Sequence, residues 1–219
     1  MKNHLESELI GMHIGDGTLY KTKWSIVWEL RSGLNEIEYY NKKVIPLLIR
    51  VFNINITAKK RSGGKNGCYG VQTTNKKIIE FFLQNEFKPG NKTYTIKIPD
   101  YIKDSSKHNK LSFVRGYFDT DGCLRFDKNK SNLHKYPRIE FGSASQQMIY
   151  DLKELLSELG FKNHIWKDNK YLKLCIAGRV MLEKWIKEVK PKNPKHLNKY
   201  HSFRKTGYYA TEKQVAQEE

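Results

Sequence analysis

The sequence predicts an α+β fold made of two similar halves, each running helix, two strands, helix, two strands, helix. Three observations predict it. Glu8-Leu9-Ile10-Gly11-Met12-His13-Ile14-Gly15-Asp16-Gly17 lies over Phe113-Val114-Arg115-Gly116-Tyr117-Phe118-Asp119-Thr120-Asp121-Gly122, and the features downstream of each copy follow in the same order. Apolar residues at helical spacing recur in both copies: Ile37, Tyr40, Val44, Leu47, Leu48 and Val51, then Met148, Leu152, Leu155, Leu156 and Leu159. Between these helices the apolar period falls to two, as expected of strands buried on one face.

In chain order, each motif copy opens as a short apolar helix and ends in Asp-Gly. Gly17 and Gly122 read as left-handed caps just past the helix ends. Trp24, Ile26, Trp28 and Leu30 then point one way, and Ser25, Glu29 and Arg31 the other. Ser62-Gly63-Gly64-Lys65-Asn66-Gly67 marks a hairpin turn. Tyr69 to Asn75 and the helix holding Ile78 and Ile79 complete the first half, residues 1–86. Residues 87–108, with Pro89-Gly90, Pro99 and Ser105-Ser106, read as a linker. In the second half, residues 109–190, Leu124 and Phe126 alternate with Arg125 and Asp127, and Ile139 and Phe141 with Arg138 and Glu140. A tight turn at Asp168-Asn169 precedes Tyr171 to Ala177. Residues 191–219 form a basic, proline-punctuated extension ending in a loose polar tail, either an extra phosphate-contacting arm or a solvated end.

The composition narrows the function. The 219 residues are enough for one large domain or two small, tightly packed ones, at roughly 150 residues per domain, with a core that needs no staples. Three widely spaced cysteines exclude a disulfide scaffold and a cysteine zinc ribbon. There is no long apolar run and no apolar leader, which argues against membrane spans and secretion. The sequons at Asn55 and Asn91 therefore read as chance. Forty Lys and Arg against 23 Asp and Glu give a net charge of +17, and the sequence pI is about 9.6. With 12% aromatics this is the charge of a folded protein with a polyanionic partner rather than of a disordered tail.

The motif then supplies chemistry. Asp16 and Asp121 stand at helix C-termini, where a carboxylate faces the negative end of the helix dipole at a cost of about 0.3 to 1 kcal/mol unless a cation is present. Gly11 and Gly15 are one turn apart on one face, matched by Gly116 and Thr120, so the two helices can approach at the near end of the usual interaxial range. Packed so, they bring Asp16 and Asp121 together as a site for a hard divalent cation beside a phosphate. Such a cation can activate water and stabilise the leaving oxygen of an in-line phosphodiester displacement.

The strings Leu9 to Gly17 and Val114 to Gly122 resemble the paired motifs of LAGLIDADG homing endonucleases in their single-chain form, and the resemblance covers nearly the whole chain. It implies two αββαββα halves with motif helices at the interface and a saddle of two antiparallel sheets straddling duplex DNA. It implies Asp16 and Asp121 as metal-binding catalytic acids, with Gly15 and Thr120 beside them in the metal set. Mg²⁺ is the expected ion, Mn²⁺ a substitute, and Ca²⁺ an ion that binds without supporting cleavage. Arg31 fits the place of a basic assistant at the end of the second strand; Phe141-Gly142-Ser143 offers no counterpart, so the site is asymmetric. At the sixth motif position Ile14 faces Asp119, for which a capping or ion-pair role is favoured over one at the cation.

A strand of about eight residues spans roughly 26 Å, comparable to about eight base-pair steps, and a two-stranded ribbon fits the major groove. Outward candidates for DNA contact are Lys21, Lys23, Ser25, Glu29, Arg31, Lys59, Arg61, Gln72 and Thr74, then Arg125, Arg138, Glu140, Lys167 and Lys173. The expected protein is a monomer acting on double-stranded DNA, with host intron RNA as a further partner, in a cytoplasm or the matrix of an organelle that encodes it. Other chemistries fit less well. Asp119-Thr120-Asp121-Gly122 puts Tyr117 and Lys128 where a calcium loop needs ligands, the histidines lack zinc spacing, and no phosphate loop exists. His13 reads as a packing histidine. The ends, Met1 and Gln217-Glu218-Glu219, lack splicing nucleophiles. A non-cleaving binder on the same fold, an intron RNA maturase or a transcription regulator, stays open; the discriminator is the presence of both acids.

Overall fold

The computed structural model describes residues 3–63, 67–168 and 171–209. Helix α1 (His4–Gly15) starts on a capping box: the Asn3 side chain accepts from the backbone of Leu5 and Glu6, and the Glu6 carboxylate accepts from Asn3 N–H. Strands β1 (Gly17–Lys21) and β2 (Ile26–Ser32) follow. The next helix runs as α2 (Ile37–Tyr39), a π-helical stretch Tyr40–Val44 and α3 (Ile45–Phe52). The turn widens just upstream of Pro46, which has no N–H to give the carbonyl of Lys42. Strands β3 (Lys59–Arg61) and β4 (Cys68–Thr73) and helix α4 (Lys76–Gln84) close the first half.

After the short α5 (Asp100–Lys103), the second half repeats the order: α6 (Lys107–Asp121), β5 (Cys123–Lys128), β6 (His134–Ser143), α7 (Gln146–Glu158), β7 (His164–Asp168), β8 (Tyr171–Ala177) and α8 (Arg179–Glu188). Helix α9 (Pro194–Thr206) follows. Among the described residues there are two four-stranded antiparallel sheets, ordered β1-β2-β4-β3 and β5-β6-β8-β7. Their registers correspond: Glu29 pairs with Thr18 and Gln72, and Glu140 with Cys123 and Cys175. One core spans both halves, with Trp28 stacked on Phe82 in the first and Phe141 on Tyr117 in the second. No helix among the described residues is long and apolar enough to cross a membrane.

Several local expectations are corrected. Neither Gly17 nor Gly122 adopts a positive φ. Space, not conformation, demands glycine: a Cβ on Gly17 would come within 2.7 Å of the His13 carbonyl oxygen, and one on Gly122 within 2.7 Å of that of Phe118. Trp24 lies outside the strand, in the β1–β2 turn, with 85% of its surface exposed, because β2 begins at Ile26. Glu29 and Glu140 sit opposite the core side, yet both are buried beneath neighbouring arginines.

The segment read as a linker is stitched to both halves. Gly90 N–H donates to Leu19 O (2.8 Å), Ile98 N–H to the Asp151 carboxylate (3.0 Å) and Ser145 Oγ to Ile96 O (2.6 Å), while Ile98 and Ile102 are fully buried. The basic extension is likewise no solvated end through Thr206, since α9 buries His196 and Phe203. The turn expected at Gly64-Lys65-Asn66, Asn169 of the second turn and the polar tail from residue 210 lie outside the described residues.

Candidate active site

The site grows from the contact between α1 and α6. A Cβ on Gly11 would lie 2.8 Å from Tyr117 N and would overlap Phe113 O; one on Gly116 would lie 3.0 Å from Met12 N and would overlap Glu8 O. The two backbones therefore touch where the sequence places its small residues. At the C-terminal ends Gly15 abuts Thr120, and a Cβ there would be 3.4 Å from Asp121 Cβ. Asp16, the C-cap of α1, and Asp121, the last residue of α6, thus belong to one cluster.

The electrostatics agree. Burial, then the negative charge of Asp121 and then that of Glu36, push the Asp16 carboxyl up to about 7. Burial also raises Asp121, although its side chain keeps an open solvent face. Two lysines oppose this on both acids. Lys92 Nζ, carried by the inter-half segment, donates to Ile14 O (2.6 Å), Gly15 O (3.1 Å) and His13 O, and so caps the last turn of α1. Burial draws it down to about 8 against the two aspartates, which raise it. Lys195 Nζ, from the first turn of α9, donates to Thr120 O (3.0 Å) and to Glu36 Oε1 (3.3 Å), so the end of α6 receives a matching ammonium.

The carbonyls of Gly15 and Thr120, expected beside the cation, are thus each engaged by a lysine. The sequence reading missed both lysines. It recognised that a carboxylate at a helix C-terminus needs a cation, but nothing local marks which distant lysine arrives. Arg31, expected as the basic assistant, is exposed and lies 3.5 Å from Glu29 Oε1.

Buried polar contacts hold this end in place. Asp119 accepts from Lys192 N–H (2.9 Å) and Asn193 N–H (3.2 Å), which anchors the chain entering α9 instead of facing the cation cluster. Asn193 Nδ2 donates to Asp119 O (2.8 Å) and Glu36 Oε2 (2.5 Å), joining the two halves. Deeper along the helix pair, buried Glu8 meets Arg115 (2.6 Å) and Lys192 (2.7 Å). His13 is a packing residue as expected: Trp28 Nε1–H donates to its Nδ1 (3.1 Å), and burial holds it well below the usual imidazole range.

Among the described residues no three His, Cys, Asp or Glu side chains cluster as a ready-made cation cage. The donor set at the helix ends is two carboxylates that crowd each other. These are hard oxygen donors, and they fit a divalent cation completed by phosphate oxygens and water.

The remaining candidates spread over the two sheets. Lys21, Lys23 and Ser25 are exposed around the β1–β2 turn; Lys59 and Arg61 lie on β3, Gln72 on β4, and Thr74 just beyond it. Arg61 donates to Gln72. In the second half Arg125 donates to Asp127 (2.8 Å) and Glu140 (3.3 Å), Arg138 pairs with Asp127 (2.5 Å), and Lys173 pairs with Asp168 (2.5 Å). Lys167 stands exposed on β7. The buried glutamates Glu29 and Glu140 hold arginines where the sequence reading had them face DNA directly.

Residues 108–190 match a family described as a LAGLIDADG-like domain. A probable translation initiation factor IF-2 of Thermococcus kodakarensis is 29% identical over 154 residues, covering 68% of this chain and 12% of that protein. Glutamine--fructose-6-phosphate aminotransferase of Methanocaldococcus jannaschii is 26% identical over 153 residues, covering 70% and 12%. The chain therefore spans about an eighth of the length of these curated relatives. Among solved structures, the homing endonuclease I-DmoI in complex with DNA and Mn aligns with a TM-score of 0.61 at 18% identity, over 87% of this chain and 98% of that one. I-SmaMI bound to uncleaved DNA in the presence of calcium aligns at 0.62 and 12% identity, over 94% and 91%.

Proposed function

From a chain with a LAGLIDADG-like domain in its second half and the LAGLIDADG homing-endonuclease fold across both halves, we propose a site-specific double-strand DNA endonuclease, acting as a monomer on a long target. The observation that carries this reading is the pair Asp16 and Asp121 at the touching ends of α1 and α6, each end capped by a lysine. Asp16 and Asp121 would hold the divalent ion, Mg²⁺ with Mn²⁺ as a substitute. When bound, that ion supplies Lewis acidity and an activated water for phosphodiester hydrolysis, whereas Ca²⁺ binds without supporting it.

The protein's own contribution is positioning and charge. Burial and the neighbouring charge of Asp121 disfavour an ionised Asp16, so a divalent cation held by the pair would favour the charged form of both acids. Lys92 and Lys195 fix the helix ends, and their ammonium groups beside the two acids would offset negative charge developing on a scissile phosphate bound there. The two sheets supply Lys21, Lys23, Arg31, Lys59 and Arg61 on one side and Arg125, Arg138, Lys167 and Lys173 on the other, for phosphate contact and base reading. A binder without nuclease activity has no need of both acids in one cluster.

If these cations neutralise phosphates, log affinity for a duplex falls linearly with log salt, with a slope near −0.9 per neutralised phosphate. Fluorescence anisotropy over a salt series tests this, and a flat response contradicts it.

A further inference from the structure

Trp24 is 85% exposed at the tip of the β1–β2 turn, although an indole is the side chain that loses most by staying in water. The turn is not slack. Thr22 N–H donates to Ser25 O (2.8 Å), and Thr22 Oγ1 accepts from Trp24 N–H (3.2 Å) and Ser25 N–H (3.0 Å), so the ring is displayed by a closed hydrogen-bonded loop. Lys23 Nζ lies over the ring, 4.7 Å from its centroid, and exposed Lys21 stands at the end of β1. The corresponding turn of the second half, Asn129 to Leu133, contains no aromatic, and its nearest exposed ring, Tyr136, is on the strand itself.

We propose that Trp24 is an apolar contact to the bound duplex: the exposed ring packs on a sugar or base edge at the outer end of the first half's footprint, while Lys21 and Lys23 meet the adjacent phosphates. The inference rests on the DNA-binding reading and deepens it. Charge selects the occupant, since a ring framed by ammonium groups on a chain of net charge +17 suits a polyanion with apolar faces. The tip lies about 20 Å along the hairpin from Asp16, far from the chemistry, so the ring's part is grip and orientation. Because only the first half carries it, the ring also gives a pseudo-symmetric protein a preferred direction on an asymmetric site.

The test uses the full chain and a mixed-sequence 30-base-pair duplex at moderate salt, with acrylamide quenching of tryptophan emission as the readout. Trp28 and Trp185 are fully buried and Trp166 is half-buried on β7, so the Trp24 share of the accessible emission is the difference between the unaltered protein and Trp24→Phe. The expected result is that duplex protects the accessible emission and that most of this protection is lost in Trp24→Phe. Trp24→Ala weakens binding about tenfold with an unchanged salt slope, whereas Lys23→Ala lowers the slope by about one. Salt-dependent binding with unaltered quenching and unaltered affinity in Trp24→Ala overturns this inference and leaves the DNA-binding reading standing. Self-association that vanishes in Trp24→Ala assigns the ring to a second copy and overturns it too. Absence of any salt-dependent duplex binding overturns both.

Discussion

At the residue scale, two carboxylates share the negative ends of two helices, and two lysines make that tolerable. Lys195 is the more informative of the pair, because its ammonium touches Thr120 O while its backbone belongs to α9. Lys195→Met should lower the cleavage rate on the order of 10² to 10³-fold with duplex affinity nearly unchanged, as measured by single-turnover kinetics beside anisotropy. His196 gives a pH signature. Its ring is buried against Phe118, its Nε2 meets Phe118 O (3.2 Å), and burial followed by the Lys195 charge draws it down to about 3. The unfolded imidazole takes a proton near its ordinary value and the folded one does not, so its stability contribution is intact above about pH 6.5 and is lost as pH falls toward 3. Urea titrations over that window should show a loss that His196→Gln reduces. The two aspartates were legible in the sequence because the repeat marked them. Lys92 and Lys195 were not, because the path of the inter-half segment and of α9 decides which lysine arrives.

At the element scale, the fold hangs on glycine where α1 crosses α6. Gly116→Ala puts a methyl into the carbonyl of Glu8, and the helices must separate. Overpacking of this kind costs about 1 to 3 kcal/mol or more, read as a lower urea midpoint with little change in slope. Spacing alone disclosed this contact, as it did the buried faces of the helices through Tyr40 and Leu48 and through Leu152 and Leu156. Alternation served less well at strand ends. Trp24 continued the pattern of Ile26 and Trp28 on paper, but the hydroxyl of Thr22 closes a turn before the strand begins. Glu29 and Glu140 were assigned to the correct face yet are covered by arginines whose reach the sequence does not specify. The glycines after the two acids were rightly singled out for the wrong reason, since crowding by His13 and Phe118 demands them.

At the scale of the whole molecule, corresponding halves share one core, and they depart from symmetry at the site and at the β1–β2 tip as well as in the middle helix of the first half. Lys92 comes from the segment between the halves and Lys195 from beyond the second, so the charge balance at the pseudo-symmetric centre depends on two parts of the chain that are not repeated. The repeat made the architecture readable; of the non-repeated segments, the one held by Leu19, Asp151 and Ser145 was readable only as a linker, and the one held by Asp119 and Glu36 only as basic and proline-punctuated. The measurement that tests the central claim most directly is incubation of the protein and of its Asp16→Asn and Asp121→Asn variants with a randomised duplex library, in Mg²⁺ and in Ca²⁺, followed by sequencing of cut ends and bound fragments. The account predicts double-strand breaks at one long site in Mg²⁺ only, lost in both variants, while binding to that site persists. Site-specific binding without cutting in Mg²⁺, or cutting retained by either variant, would contradict it.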